Sequence, residues 1–123
     1  MNREEILSLD TSRKVFDYVV NHMKTQGFPA TEEDGLTCAY RGASGTSCAV
    51  GCLILDEEYR CYMESQTLQQ VISVIPRLLK FEGLLYALQQ FHDSTYNWSE
   101  SDTEVFSEHG LRVLKEISKT YVR

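Results

Sequence analysis

Cationic charge is scarce in this chain. Twelve Lys and Arg stand against eighteen Asp and Glu in 123 residues, a net charge of −6. A generic grip on nucleic-acid phosphates is cationic and is therefore disfavoured. Long apolar runs are missing too. None approaches the roughly 20 residues of a membrane span, and Met1-Asn2-Arg3-Glu4-Glu5 has no apolar signal-peptide core. The expectation is a cytoplasmic protein without membrane contact. Four cysteines occur, none in a C-x-x-C pair, so the close thiolate pair on which structural zinc sites are usually built is lacking. No cysteine is followed by five residues and an arginine, which excludes the phosphate cradle of phosphotyrosine chemistry. No glycine loop carries the lysine of a nucleoside-triphosphate loop. Internal repeats, low-complexity tracts and linkers are also absent.

What is present fits one globular domain over residues 1–123. Hydrophobic residues make up 42% and charged residues 24%, and a chain of this length buries roughly 65% of its unfolded surface, enough for one core without disulfide or metal staples.

From Thr11 to Gln26, Val15, Phe16, Val19, Val20 and Met23 fall on one helical stripe. Asp10, Thr11 and Ser12 offer capping oxygens at its start, and Gly27 and Pro29 end it. Residues 2–8 fit a short preceding turn, and residues 30–35 a polar connection. The stretch 36–50 reads as two short strands around a glycine turn. With Gly45 left-handed, Gly42 pairs with Thr46, Tyr40 sits opposite Cys48, and Cys38 and Cys48 share a face. Asp56-Glu57-Glu58 suits the first turn of a short helix. Thr67 caps a helix carrying Leu68, Val71, Ile72 and Ile75, which Pro76 ends or kinks. A further helix carries Leu84, Leu85, Leu88 and Phe91, and residues 92–99 form a loop. Ser101-x-x-Glu104 has the capping-box pattern and would open a last helix with Phe106, Val113, Leu114, Ile117 and Tyr121 inward and a break at Gly110. The expected fold is α+β: four or five helices beside a two-stranded hairpin.

Three chemistries can be drawn from the residues. Gly42, Ser44, Gly45 and Thr46 form a glycine and hydroxyl loop able to cradle an anion. Tyr40, Arg41, His92, Asp93 and Trp98 are suited to stack a base and grip a phosphate, which favours a nucleotide-like ligand. Alternatively, Cys48 is a nucleophile at a helix start with His92 as its base, oriented by Asp56 or Glu64. The third possibility is zinc held by Cys38, Cys48, Cys52 and His92. The plain alternative for the cysteines is buried apolar thiols. His92-Asp93 also occurs in metal-dependent phosphohydrolases, but only His22 and His109 remain to complete a ligand set. The acidic clusters at 32–34, 56–58 and 100–108 read mainly as solvated loops and helix starts.

At Cys38-Ala-Tyr-Arg-Gly42, Cys48-Ala-Val-Gly-Cys-Leu-Ile54, Asp56, Tyr59, Met63-Glu64, Leu88-Gln89, His92-Asp93 and Trp98, the chain resembles a group of small uncharacterised proteins of phages, prophages and their bacterial hosts, over about residues 12–111. Members of that group usually have proline after the Leu-Ile pair, where Leu55 stands here. The group has no established activity. The resemblance implies a context, a phage accessory protein that neutralises a host enzyme, a defence or its signalling molecule in the bacterial cytoplasm. The leading expectation is therefore non-catalytic binding of a nucleotide-like immune signal or inhibition of a host protein, without a cofactor and compatible with a homodimer. A Cys48–His92 hydrolase and a zinc-stabilised interaction module follow.

Overall fold

The computed structural model describes residues 3–31, 39–101 and 103–122. Its helices are α1 (Arg3–Leu7), α2 (Ser12–Gln26), α3 (Leu68–Ser73), α4 (Pro76–Leu79), α5 (Glu82–Asp93) and α6 (Glu108–Tyr121), with short 3-10 segments at Ala43–Gly45, Gly51–Leu53, Cys61–Ser65 and Thr95–Asn97.

Local chemistry sets most of these boundaries. The Thr11 hydroxyl accepts from the Lys14 N–H at the start of α2, and left-handed Gly27 (φ 85°) closes its end by donating to Met23 O. Thr67 and Gln70 form a reciprocal capping box on α3. Pro76 ends nothing by itself. It occupies the first turn of α4, where its missing N–H costs no bond. α6 begins six residues later than its capping-box pattern suggests. Ser107, not Ser101, caps it by accepting from the Gly110 N–H. Ser101 is spent inside the preceding loop, accepting from the Thr103 N–H. Gly110 does not break α6, because it is needed there. A Cβ at that position would collide with the Asn97 carbonyl, so glycine lets the helix press against the 95–97 turn.

The expected hairpin is not formed among the described residues, and the fold is mostly helical rather than α+β. Among the described residues there is no strand, only isolated antiparallel bridges at Arg41–Ser47 and Trp98–Phe106. Residues 32–38 lie outside the described residues, Cys38 among them. The turn register is the expected one: Gly42 N–H donates to Thr46 O (2.9 Å) and Cys48 N–H to Tyr40 O (3.4 Å), with Ser44 and Gly45 both left-handed (φ 58° and 77°). The ladder stops there because side chains take the backbone groups that would extend it. Glu64 accepts from the N–H of Tyr40 and of Arg41 (2.9 and 3.0 Å), Gln26 from that of Ser47 (2.9 Å) and Gln89 from that of Val50 (3.1 Å). His22 donates to Ser47 O (2.8 Å).

This arrangement suits a segment that is not on the surface. Every residue from Cys48 to Leu55 is buried, against Val15, Val19 and Met23 of α2 and Leu84, Leu85 and Leu88 of α5. A buried irregular segment must still satisfy its backbone. Two arginines help: Arg77 donates to Leu53 O (2.6 Å) and Arg41 to Ile54 O (3.1 Å). Asp56-Glu57-Glu58 forms a turn rather than a helix start, and Glu58 pairs with Arg77 at 2.5 Å. On the far side, Phe91, Trp98 and Phe106 make an aromatic cluster, with Phe91 and Phe106 edge-to-face at 5.3 Å, beneath α6.

Candidate functional site

The sequence-derived site separates into two places. Arg41, Gly42, Gly45 and Thr46 stay together and, with Ser47, Gly51 and Asp56, line an open recess of about 260 Å³. Exposed Ser44 sits at the turn beside it, and half-buried Tyr40 lies behind, its hydroxyl donating to Gln66 O at 3.4 Å. Burial pushes the Tyr40 phenol up to about 12. His92, Asp93 and Trp98 do not line the recess.

Arg41 is held from several directions. Its guanidinium lies 4.5 Å above the centre of the Tyr59 ring, donates to Ile54 O, and pairs with Asp56 Oδ1 at 2.8 Å. Its backbone N–H is fixed by Glu64, whose carboxylate also accepts from the Tyr59 hydroxyl at 2.5 Å. Burial, followed by the hydrogen bond to Glu64, raises the Tyr59 phenol to about 12 and keeps it a neutral donor. Glu64 thus positions both the chain at Arg41 and the ring beneath it. Two glycines permit the tight geometry. A Cβ on Gly42 would strike the Thr31 carbonyl, and one on Gly51 the Tyr40 carbonyl.

His92 is fully buried and fully engaged. Ala30 N–H donates to Nε2 (3.0 Å), so the ring proton sits on Nδ1 and is donated to Asp93 Oδ1 (2.8 Å). Gln89 also donates to Asp93, and the Trp98 indole N–H donates to His92 O (2.9 Å). The ring packs edge-to-face on Trp98 at 5.9 Å. These groups join the end of α5 to the aromatic cluster and to the chain leaving α2.

Among the described residues, the geometry does not activate Cys48 as a nucleophile. Cys48 is buried, its sulfur accepts the Gly51 N–H at 3.2 Å, and burial pushes the thiol up to about 12, the direction opposite to activation. The 3-10 turn that follows is too short to supply a helix dipole. His92 has no free lone pair to offer a thiol. His22, its pKa lowered mainly by burial, faces Ser47 through Nε2. Among the described residues no three His, Cys, Asp or Glu converge to hold a metal. Cys48 and Cys52 are free buried thiols, and Cys52 donates to Ala49 O. No helix of the described residues is long and apolar enough to cross a membrane.

Asp56, Tyr59 and Glu64 are the members of this site that residue chemistry alone did not assign to Arg41. As functional groups, the sequence offers Asp56 and Glu64 only to orient His92, and Tyr59 only through the phage-protein resemblance. A cation over a ring and a carboxylate fifteen residues away leave no periodic trace from which to group them. Set against known proteins, the chain finds no matching family model, curated protein or solved structure, so its function is argued from this geometry.

Proposed function

We propose that this is a non-catalytic binding protein whose Arg41 recess takes a phosphate-bearing, nucleotide-like small molecule, acting as a sequestering accessory protein in the cytoplasm of a bacterial host. One observation carries the reading. The guanidinium is pinned in place by Tyr59 and Ile54 O, while its one ion-pair partner among the described residues, Asp56, is 81% exposed and free to rotate away. A preorganised cation with an exchangeable anion is how an empty phosphate site looks when a neighbouring carboxylate occupies it. The glycine and hydroxyl residues 42–47 supply a small, polar wall, and Tyr59 spreads the cation over an aromatic face.

Titration calorimetry with inorganic phosphate, nucleoside monophosphates and dinucleotides tests this. Binding should be lost with Arg41→Ala, weakened with Arg41→Lys, and strengthened about three- to tenfold with Asp56→Asn, which removes the internal competitor. Equal affinity of wild type and Arg41→Ala, with the fold intact by circular dichroism, would sink the assignment.

A second reading, inhibition of a host protein, is favoured by a different surface. Tyr96 is 80% exposed on the rim of a groove of about 620 Å³ whose walls carry Glu100, Glu104 and Glu108. An exposed aromatic beside acidic walls suits a cationic protein face. Tyr96→Ala should then weaken capture of the host protein and leave phosphate binding unchanged.

A further inference from the structure

Ser47 stands opposite Arg41 across the glycine turn. The two residues form an antiparallel bridge, flanked by the bonds from Gly42 N–H to Thr46 O and from Cys48 N–H to Tyr40 O. Those bonds make 41 and 47 a non-hydrogen-bonded pair, the kind whose opposed side chains leave on the same face and approach most closely, while the N–H and C=O of each residue point away from the other. The outward groups are all taken. Glu64 accepts from the Arg41 N–H, and α2 holds Ser47 at both ends: Gln26 Oε1 accepts from its N–H at 2.9 Å, and His22 Nε2 donates to its carbonyl at 2.8 Å. His22 and Gln26 are one turn apart, so a single face of α2 makes this grip. Arg41 and Ser47 both line the recess.

The contact to His22 also fixes a proton. A carbonyl oxygen only accepts, so the His22 Nε2 at 2.8 Å from Ser47 O carries hydrogen. It then has no lone pair for the Ser47 hydroxyl 3.2 Å away, and Oγ can do no more than accept a share of that same hydrogen. The hydroxyl's own hydrogen is left over, and no described residue accepts it. We propose that Ser47 donates this hydrogen into the recess and is the second, neutral donor to the oxyanion that Arg41 binds. This role rests on the phosphate reading of the recess. Nη2 of Arg41 gives one hydrogen to Ile54 O and the other to Asp56, so an anion that displaces Asp56 gains a single hydrogen there. A phosphate has further oxygens, and Ser47 meets one of them from the facing residue of the bridge. Because the hydroxyl is held as a donor, the ligand atom in front of it is an acceptor such as a phosphate oxygen, and a ligand presenting an amine at that point is rejected.

Two measurements on the full chain test this. Long-range proton–nitrogen NMR correlation of the His22 ring, above neutral pH, should find hydrogen on Nε2 and none on Nδ1. The opposite tautomer would let Nε2 take the Ser47 proton and overturns the proposal without any ligand present. Calorimetry with inorganic phosphate should show Ser47→Ala binding about tenfold more weakly than wild type, the loss of one hydrogen bond to a charged group. Ser47→Thr keeps a hydroxyl and should recover most of that loss; a Ser47→Thr as weak as Ser47→Ala would trace the effect to shape and overturn the donor role. Circular dichroism checks that each variant is folded. Phosphate binding that depends on Arg41 but is equal in wild type and Ser47→Ala overturns the Ser47 assignment alone, whereas binding indifferent to Arg41→Ala overturns the reading of the recess and this assignment with it.

Discussion

His92 has no accessible surface, and both of its ring nitrogens are committed, Nε2 to the Ala30 N–H and Nδ1 to Asp93. Arg41 keeps 29% of its side chain exposed, and its carboxylate partner projects almost entirely into solvent. The two residues are equally suggestive in the sequence, yet their situations are opposite. On His92, Nε2 is filled by the buried Ala30 N–H, which cannot leave without breaking the fold, and Nδ1 by Asp93, half-exposed but also held by Gln89. On Arg41, one position is filled by a group that can leave. Chemistry with a ligand needs that spare capacity, so reactive residue type matters less than whether the partner is replaceable.

Removing His92 should give the largest effect. His92→Ala leaves the Ala30 N–H without its acceptor and opens a void beside Trp98, a loss of about 3 kcal/mol measured by urea denaturation. Phosphate affinity of the folded fraction is expected to stay unchanged. A stable His92→Ala that no longer binds phosphate would merge the two regions into one site. Gly51→Ala comes next, because its methyl must displace the Tyr40 carbonyl; about 2 kcal/mol and a clear drop in phosphate affinity should appear together. Alkaline pH acts on the groups packed behind the recess. The Cys48 thiol and Tyr40 phenol are raised from 9.0 and 10.0 to about 12, so the folded state favours their protonated forms. Their contribution is fully present below about pH 9 and declines as pH climbs toward 12, with about 1 kcal/mol lost by pH 10 in the urea midpoint series. Asp56→Asn should change stability least, by within about 0.5 kcal/mol, since its ion pair is exposed. A large loss there would make Asp56 structural and remove the contrast with Asp93.

Much of the helical framework was legible. The stripe Val15–Met23 and its caps at Thr11 and Gly27 are read directly from spacing and side-chain chemistry, and the inward face of α5 likewise. The hairpin was misread because the alternation around Gly42–Gly45 fixes a register but not a ladder. Whether neighbouring backbone groups bond each other depends on Glu64, Gln26 and Gln89, which arrive from elsewhere in the chain. The start of α6 was misplaced because Ser101 and Ser107 are both competent caps, and only packing against Asn97 selects the later one. At the site, Arg41 and its glycine loop could be picked out, whereas His92 and Trp98 were grouped with them by chemical aptitude. Aptitude says nothing about burial, and both residues are committed to the aromatic core.

The bonds that hold the central segment link Gln26 to Ser47, Glu64 to Tyr40 and Gln89 to Val50, separations of 21, 24 and 39 residues. A hairpin would zip locally and early. A loop secured in this way waits until α2, α5 and the 61–65 turn have docked, since each closure is entropically costly before the helices bring its ends together. The recess is therefore the last part of the molecule to assemble, and its amides should be among the first to exchange with solvent deuterium.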